Sequence, residues 1–132
     1  MNAVEYISDA EALATLNTNL LGVMRTQRAV LPAMRAQRNG CIINISSMAA
    51  WVAIPGVGMY CATKAALEAQ SECLASEAYP YGIRVILIQP GSFRTPILQK
   101  ALDTMPSDST SPYVAPLRRV GMIFAQGAQA CL

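Results

Sequence analysis

The chain has 132 residues and a mass of 14.1 kDa, one domain's worth of sequence at most. Hydrophobic residues make up 53% and charged residues 14%, which excludes general disorder, and a net charge of +2 is too small for an electrostatic nucleic-acid binder. There is no histidine, so Ser-His-Asp and Cys-His catalysis and every His-ligated metal site are excluded.

The N-terminus, Met1-Asn2-Ala3-Val4-Glu5, lacks the basic start and apolar core of a signal peptide. Cys41, Cys61, Cys73 and Cys131 form no C-x-x-C pair, so no metal site is expected and reduced thiols in the cytoplasm are the default. Ser8-Asp9-Ala10-Glu11 reads as a capping box that starts a helix. Leu13, Leu16, Leu20, Val23, Ala29 and Val30 recur near helical spacing on one broad face. Pro32 is expected to kink or break the helix near its last turns, and Asn39-Gly40 ends it.

From Asn39 to Thr63 the chain carries no charge for 25 residues. Asn44, Ser46, Ser47, Pro55, Gly56 and Gly58 would break or wet a membrane helix there, so no membrane span is expected. Instead Cys41 to Ser46 reads as a strand with the composition of one buried on both faces. Met59 to about Tyr79 reads as an Ala- and Glu-rich helix closed by Pro80-Tyr81-Gly82, and Ile83 to Gln89 as a second strand stopped by Pro90-Gly91. Strand, helix, strand is a right-handed βαβ unit with parallel strands. With the first helix it gives α-β-α-β, an α/β class in a single partial domain over residues 1–132. Residues 101–112 are turn-rich, Val114 to Leu132 has room for a short helix, and 101–132 is expected to be an atypical, loose segment.

Sites in open parallel sheets form at the carboxyl ends of the strands. Those ends deliver Ser46-Ser47 and Pro90-Gly91-Ser92-Phe93-Arg94-Thr95. Tyr60 and Lys64 sit four apart on one face of the connecting helix, and Lys64 is the first charge after Arg38. A lysine beside a tyrosine makes a general acid–base pair. A free phenol has a pKa near 10, and bringing one towards neutrality takes about 4 kcal/mol. A cation about 4 Å away supplies roughly that at an effective dielectric near 20. A serine at a strand end can hold a substrate oxygen where charge develops. Taken singly, a Y-x-x-x-K is a common accident and Ser-Ser a common loop start; their combination with Pro-Gly after the next strand is not.

At these residues the chain resembles the short-chain dehydrogenase/reductase family. Asn44-Ile45-Ser46-Ser47 looks like its active-site serine strand, Tyr60-Cys61-Ala62-Thr63-Lys64 is similar to its Y-x-[AS]-[ST]-K helix, Pro90 to Thr95 matches its P-G-x-x-x-T segment, and Asn19-Leu20-Leu21-Gly22 its N-x-x-G. The resemblance runs from about residue 5 to about 99. It implies a Rossmann-like doubly wound sheet and an NAD(P)-dependent oxidoreductase acting on a carbonyl/alcohol pair. It assigns proton transfer to Tyr60, its electrostatic support and the nicotinamide ribose to Lys64, substrate orientation to Ser47, and a water linking Lys64 to solvent to Asn19, with Asn17 as a nearby decoy. Cofactor contacts fall to Tyr60, Lys64, Pro90, Gly91 and Thr95. Trp51, Val52, Met59 and Phe93 would lie near the cleft of a small apolar ketone or alcohol. Two alternatives are a non-catalytic remnant acting by binding, with Ala62, Ala65, Ala66 and Ala69 as a dimer face, and isomerase or lyase chemistry on the same scaffold.

The family's opening strand, glycine-rich turn and helix have no counterpart in this sequence. Gly56-Val57-Gly58 is its only G-x-G, and Cys61 stands where a third glycine would be needed. The resemblance therefore implies truncation at the N-terminus and an atypical C-terminus. Poor cofactor affinity, uncovered apolar sheet surfaces, and self-association or completion by another chain are expected. NAD and NADP cannot be told apart here.

Overall fold

The computed structural model describes residues 1–91, 93, 96, 103, 105 and 110–130, the side chains of the last helix through residue 123. A short 3-10 turn at Val4–Tyr6 leads into helix α1, Asp9–Leu16. Its capping box is formed on both sides: the Ser8 N–H donates to Glu11 Oε2 at 2.9 Å, and the Glu11 N–H to Ser8 Oγ at 3.3 Å. A five-residue π turn, Asn17–Leu21, joins α1 directly to α2, Gly22–Gln37. Arg38 closes α2 in the left-handed region (φ 50°). Strand β1, Gly40–Ile45, helix α3, Gly58–Ala78, and strand β2, Ile83–Ile88, form the βαβ unit, and α4 spans Val114–Ala130.

The strands pair in parallel, from Gly40 opposite Ile83 to Ile45 opposite Ile88, and make a two-stranded sheet among the described residues. At its amino end Ile42 and Ile83 pack with Leu74 and Ala78 of α3, and with Leu31 and Met34 of α2. The turn into β2 requires glycine: Gly82 has φ 72°, and a Cβ there would collide with the Arg38 carbonyl. At the other end of the fold, Val114 and Leu117 of α4 are buried and the Tyr6 and Tyr113 rings meet edge to face at 5.5 Å.

Four expectations are refined or changed. Pro32 lies inside α2 without breaking it. It is exposed, so water can satisfy the carbonyl that lacks an N–H donor. The irregularity sits instead at Asn17–Leu21, where the Gly22 N–H reaches back five residues to the Asn17 carbonyl. That extra residue rotates the helix register, so the face projected from Leu13 to Val30 is not continuous: Leu13, Ala29 and Val30 are exposed, and the buried residue of α2 is Gln27. Finally, α2 and α3 both pack on one face of the sheet. Ile42, Asn44 and Ile83 are buried there, whereas Ile43, Ile45, Ile86 and Ile88 on the other face are 41–55% exposed. The last helix is 17 residues long rather than short.

Candidate active site

Helix α3 owes its length to alanine and to Leu67 and Leu74, whose side chains are buried. It starts at the mouth of the loop following β1, so Tyr60 stands in its first turn and Lys64 one turn on. Tyr60 is 36% exposed. The Lys64 Nζ lies 5.7 Å from the Tyr60 ring centroid and donates to the Ile45 carbonyl, the last residue of β1, at 2.8 Å. Partial burial of the ammonium holds the Lys64 pKa below the ordinary lysine value. The charge isolated in the sequence thus has a counterpart, a strand-end carbonyl two residues before Ser47.

Asn19 enters the same cluster. The π turn aims its side chain at α3, where Asn19 Nδ2 donates to Thr63 Oγ1 at 3.1 Å and Thr63 Oγ1 donates to the Tyr60 carbonyl at 2.8 Å. Gly22 lets the turn close, since a Cβ there would stand 3.3 Å from the Asn17 carbonyl. Asn17 points elsewhere and accepts from Arg25 at 2.7 Å. Thr63, within the Tyr60–Lys64 motif, is fully buried and links Asn19 to the first turn of α3.

Ser47 caps a 3-10 turn, Met48–Ala50, its Oγ accepting from the Ala49 N–H at 3.2 Å. It is joined to Lys64 through Ile45 rather than directly. The turn is stitched to the end of β2 by Ser46 N–H to the Ile88 carbonyl at 2.7 Å and Met48 N–H to the Pro90 carbonyl at 3.2 Å. Pro90 and Gly91 therefore flank the Ser47 turn. Thr95 lies outside the described residues. Trp51, Val52 and Phe93 are exposed at 75, 51 and 64%.

Sequence reasoning missed Glu68. It is buried, and its carboxylate accepts from Ser46 Oγ, from Trp51 Nε1 at 2.7 Å and from Gln89 Nε2 at 2.9 Å. Burial pushes its pKa up, but the hydrogen bonds from Ser46, Gln89 and Trp51 outweigh that and hold it below the usual carboxylate value. Four residues after Lys64, Glu68 has the spacing of a surface ion pair; among the described residues the two take other partners instead.

A groove of about 430 Å³ runs between α2 and β1, lined by Val23, Val30, Met34 and residues of β1, and by none of the candidate site residues. No helix among the described residues is long and apolar enough to cross a membrane.

Comparison with known proteins places these residues in a family. The profile of the short chain dehydrogenase family matches residues 1–106. A 3-ketodihydrosphingosine reductase of Bacteroides thetaiotaomicron is 47% identical over 93 residues, covering 70% of this chain and 35% of the relative. Among solved structures, a gluconate 5-dehydrogenase of Burkholderia cenocepacia, in complex with NADP and tartrate, superposes with a TM-score of 0.73 at 30% identity, over 76% of this chain and 40% of its own. An NAD+-bound xylitol dehydrogenase superposes with the same TM-score at 28% identity, over 92% of this chain and 49% of its own. The chain thus spans half or less of the length of these relatives.

Proposed function

The chain belongs to the short-chain dehydrogenase family, and from that premise we propose that it carries the nicotinamide-facing, catalytic part of an NAD(P)-dependent oxidoreductase acting on a carbonyl/alcohol pair. The observation that carries this reading is the linkage of Asn19, Thr63, Tyr60 and Lys64 to the strand end that bears Ser47. Tyr60, at the open end of α3, gives or takes the proton at its Oη. Lys64 supports that transfer electrostatically, and two of its three N–H donors remain for ribose hydroxyls once Ile45 is served. Ser47 orients the substrate oxygen. Asn19 fixes the turn of α3 below Tyr60 through Thr63 and holds the water that links Lys64 to solvent.

The nicotinamide end of a dinucleotide fits these residues: Lys64 is half-buried, Tyr60 is accessible, and Pro90-Gly91 lies against the Ser47 turn. When bound, the nicotinamide donates or accepts the hydride. Lys64, Tyr60 and Pro90-Gly91 face the nicotinamide end of the cofactor. Both NAD and NADP suit the residues at hand. Trp51, Val52 and Phe93 favour a small apolar ketone or alcohol. The uncovered Ile43, Ile45, Ile86 and Ile88 favour self-association or completion by another chain.

The function is tested by nicotinamide consumption with an alkyl ketone at high NADH or NADPH, for the wild type and Tyr60→Phe. Consumption lost in the variant supports it; equal consumption in both overturns it. Cofactor fluorescence titration beside light scattering tests the rest: weak binding by a self-associated species is expected, and micromolar binding by a monodisperse monomer would overturn it.

A further inference from the structure

Resting on that reading, we propose that Glu68 is the positioning residue of the site: its buried carboxylate clamps the segment that carries Ser47 at both ends and presents the Trp51 indole beside it.

Residues 45–51 leave β1, turn through Ser47 and enter the loop before α3. Lys64 holds the carbonyl of Ile45. One helical turn further along the same side of α3, Glu68 holds the hydroxyl of Ser46 and, five residues on, the indole N–H of Trp51. Ser47 lies between these two anchors. The same carboxylate takes the side-chain amide of Gln89 at the end of β2, next to Pro90-Gly91. One group therefore ties together both strand ends and the turn that the proposed reaction uses.

The chemistry of the clamp is unusual for a device serving stability alone. All three donors are neutral, and Lys64 is committed to Ile45, so no cation among the described residues offsets the cost of burying the carboxylate. Only its hydrogen bonds do, and an apolar residue of similar size would fill the space at lower cost. What an apolar residue cannot do is gather three donors, from the two ends of the Ser47 segment and from the end of β2, onto one point, since a carboxylate offers about four acceptor sites. The indole N–H is fixed by this bond while the Trp51 side chain is 75% exposed, so the ring is held by its polar edge and its apolar faces remain open.

Trp51 is the chain's single tryptophan, so the indole N–H gives one resonance in a nitrogen-15 spectrum of the full chain. In the wild type it should be displaced downfield and its exchange with solvent slowed. In Glu68→Gln, which keeps the shape but weakens the acceptor, the resonance should move upfield and exchange about tenfold faster, as a charge-assisted bond becomes a neutral one. The backbone amides of Ser47 and Met48 should shift with it, while those of the amino-end core around Leu74 and Ile83 stay in place. Trp51→Phe, which removes one leg of the clamp and leaves Glu68 intact, should move the Ser47 amide in the same direction by less. Unchanged indole exchange in Glu68→Gln overturns the clamp. A changed indole with an unmoved Ser47 amide overturns its role in placing Ser47. Should Glu68→Gln fail to fold, a wild-type indole with free-solvent shift and exchange overturns the proposal, and a protected indole together with a Ser47 shift in Trp51→Phe upholds it. None of these readouts needs turnover, so a failed clamp and a failed oxidoreductase reading are told apart by the Tyr60→Phe assay.

Discussion

The two ends of the small parallel sheet are built from different materials. At the amino end, Ile42, Leu74, Ala78 and Ile83 pack with Leu31 and Met34, and the chain turns on Gly82. At the carboxyl end, the contacts that hold the segments together are polar: Lys64 to Ile45, Glu68 to Ser46, Trp51 and Gln89, and Asn19 through Thr63 to Tyr60. Apolar contacts are non-directional and stabilise by area, whereas hydrogen bonds fix position and contribute only about 1 kcal/mol each net. The amino end therefore supplies stability and the carboxyl end supplies geometry. The same helix, α3, serves both, which makes the division testable by substitutions along one helix.

The largest effect belongs to the carboxyl end. Tyr60→Phe removes only a hydroxyl from an exposed position, and should lower any carbonyl reduction by about 10²- to 10⁴-fold, the usual contribution of a positioned proton donor. Its thermal midpoint should stay within a few degrees of the wild type's. Turnover and unfolding measured on one preparation check both halves of the statement, and a variant that unfolds without losing turnover per folded molecule would reverse the division.

Leu74→Ala, nearly four turns further along α3, is the opposite case. The side chain is buried in the amino-end core, and its truncation should cost about 2–5 kcal/mol by denaturant titration. Gly82→Ala should follow at about 1–2 kcal/mol for the left-handed backbone alone, with the clash against the Arg38 carbonyl added to it. In both variants the indole resonance of Trp51 should keep its wild-type position under conditions where the chain remains folded. A shift of that resonance in Leu74→Ala would mean that the two ends are mechanically coupled.

The amino end was the more legible of the two in the sequence. The bounds expected for β1, α3 and β2 fall within a residue or so of those observed, because Asn39-Gly40, Pro80-Tyr81-Gly82 and Pro90-Gly91 punctuate an otherwise apolar run. Tyr60 and Lys64 were legible too, since four residues on a helix share a face whatever surrounds them. The π turn was not: it depends on Asn19 meeting Thr63, 44 residues away, and no local pattern encodes that contact. Pro32 did not end α2: it stands at an exposed position inside the helix, where water can take the place of the missing N–H donor. Glu68 was hidden by its spacing from Lys64, which imitates a solvated ion pair, and its true donors come from two distant stretches of chain, residues 46–51 and Gln89.

The smallest effect is in acid, and it separates the two ends without a measurement of turnover. Glu68 titrates below the ordinary carboxylate value in the folded chain, because its hydrogen bonds outweigh its burial. A carboxylate with a depressed folded pKa stabilises fully above the unfolded value, near 4.3, and that contribution is lost as pH falls from there through the folded value. Glu11 has the same sign, held down by the hydroxyl and the backbone N–H of Ser8, but it is fully exposed and solvent screens it. Unfolding midpoints measured from neutral pH downward should therefore decline in the wild type. The decline should be shallower in Glu68→Gln, and close to wild type in Glu11→Gln. The slope is the quantity to compare, since Glu68→Gln also changes stability at neutral pH through its weaker hydrogen bonds. If Glu68→Gln keeps the wild-type slope, the carboxylate is not held in its ionised form by Ser46, Trp51 and Gln89, and the carboxyl end owes its geometry to its other contacts, those of Lys64 and Asn19 and the backbone pairing.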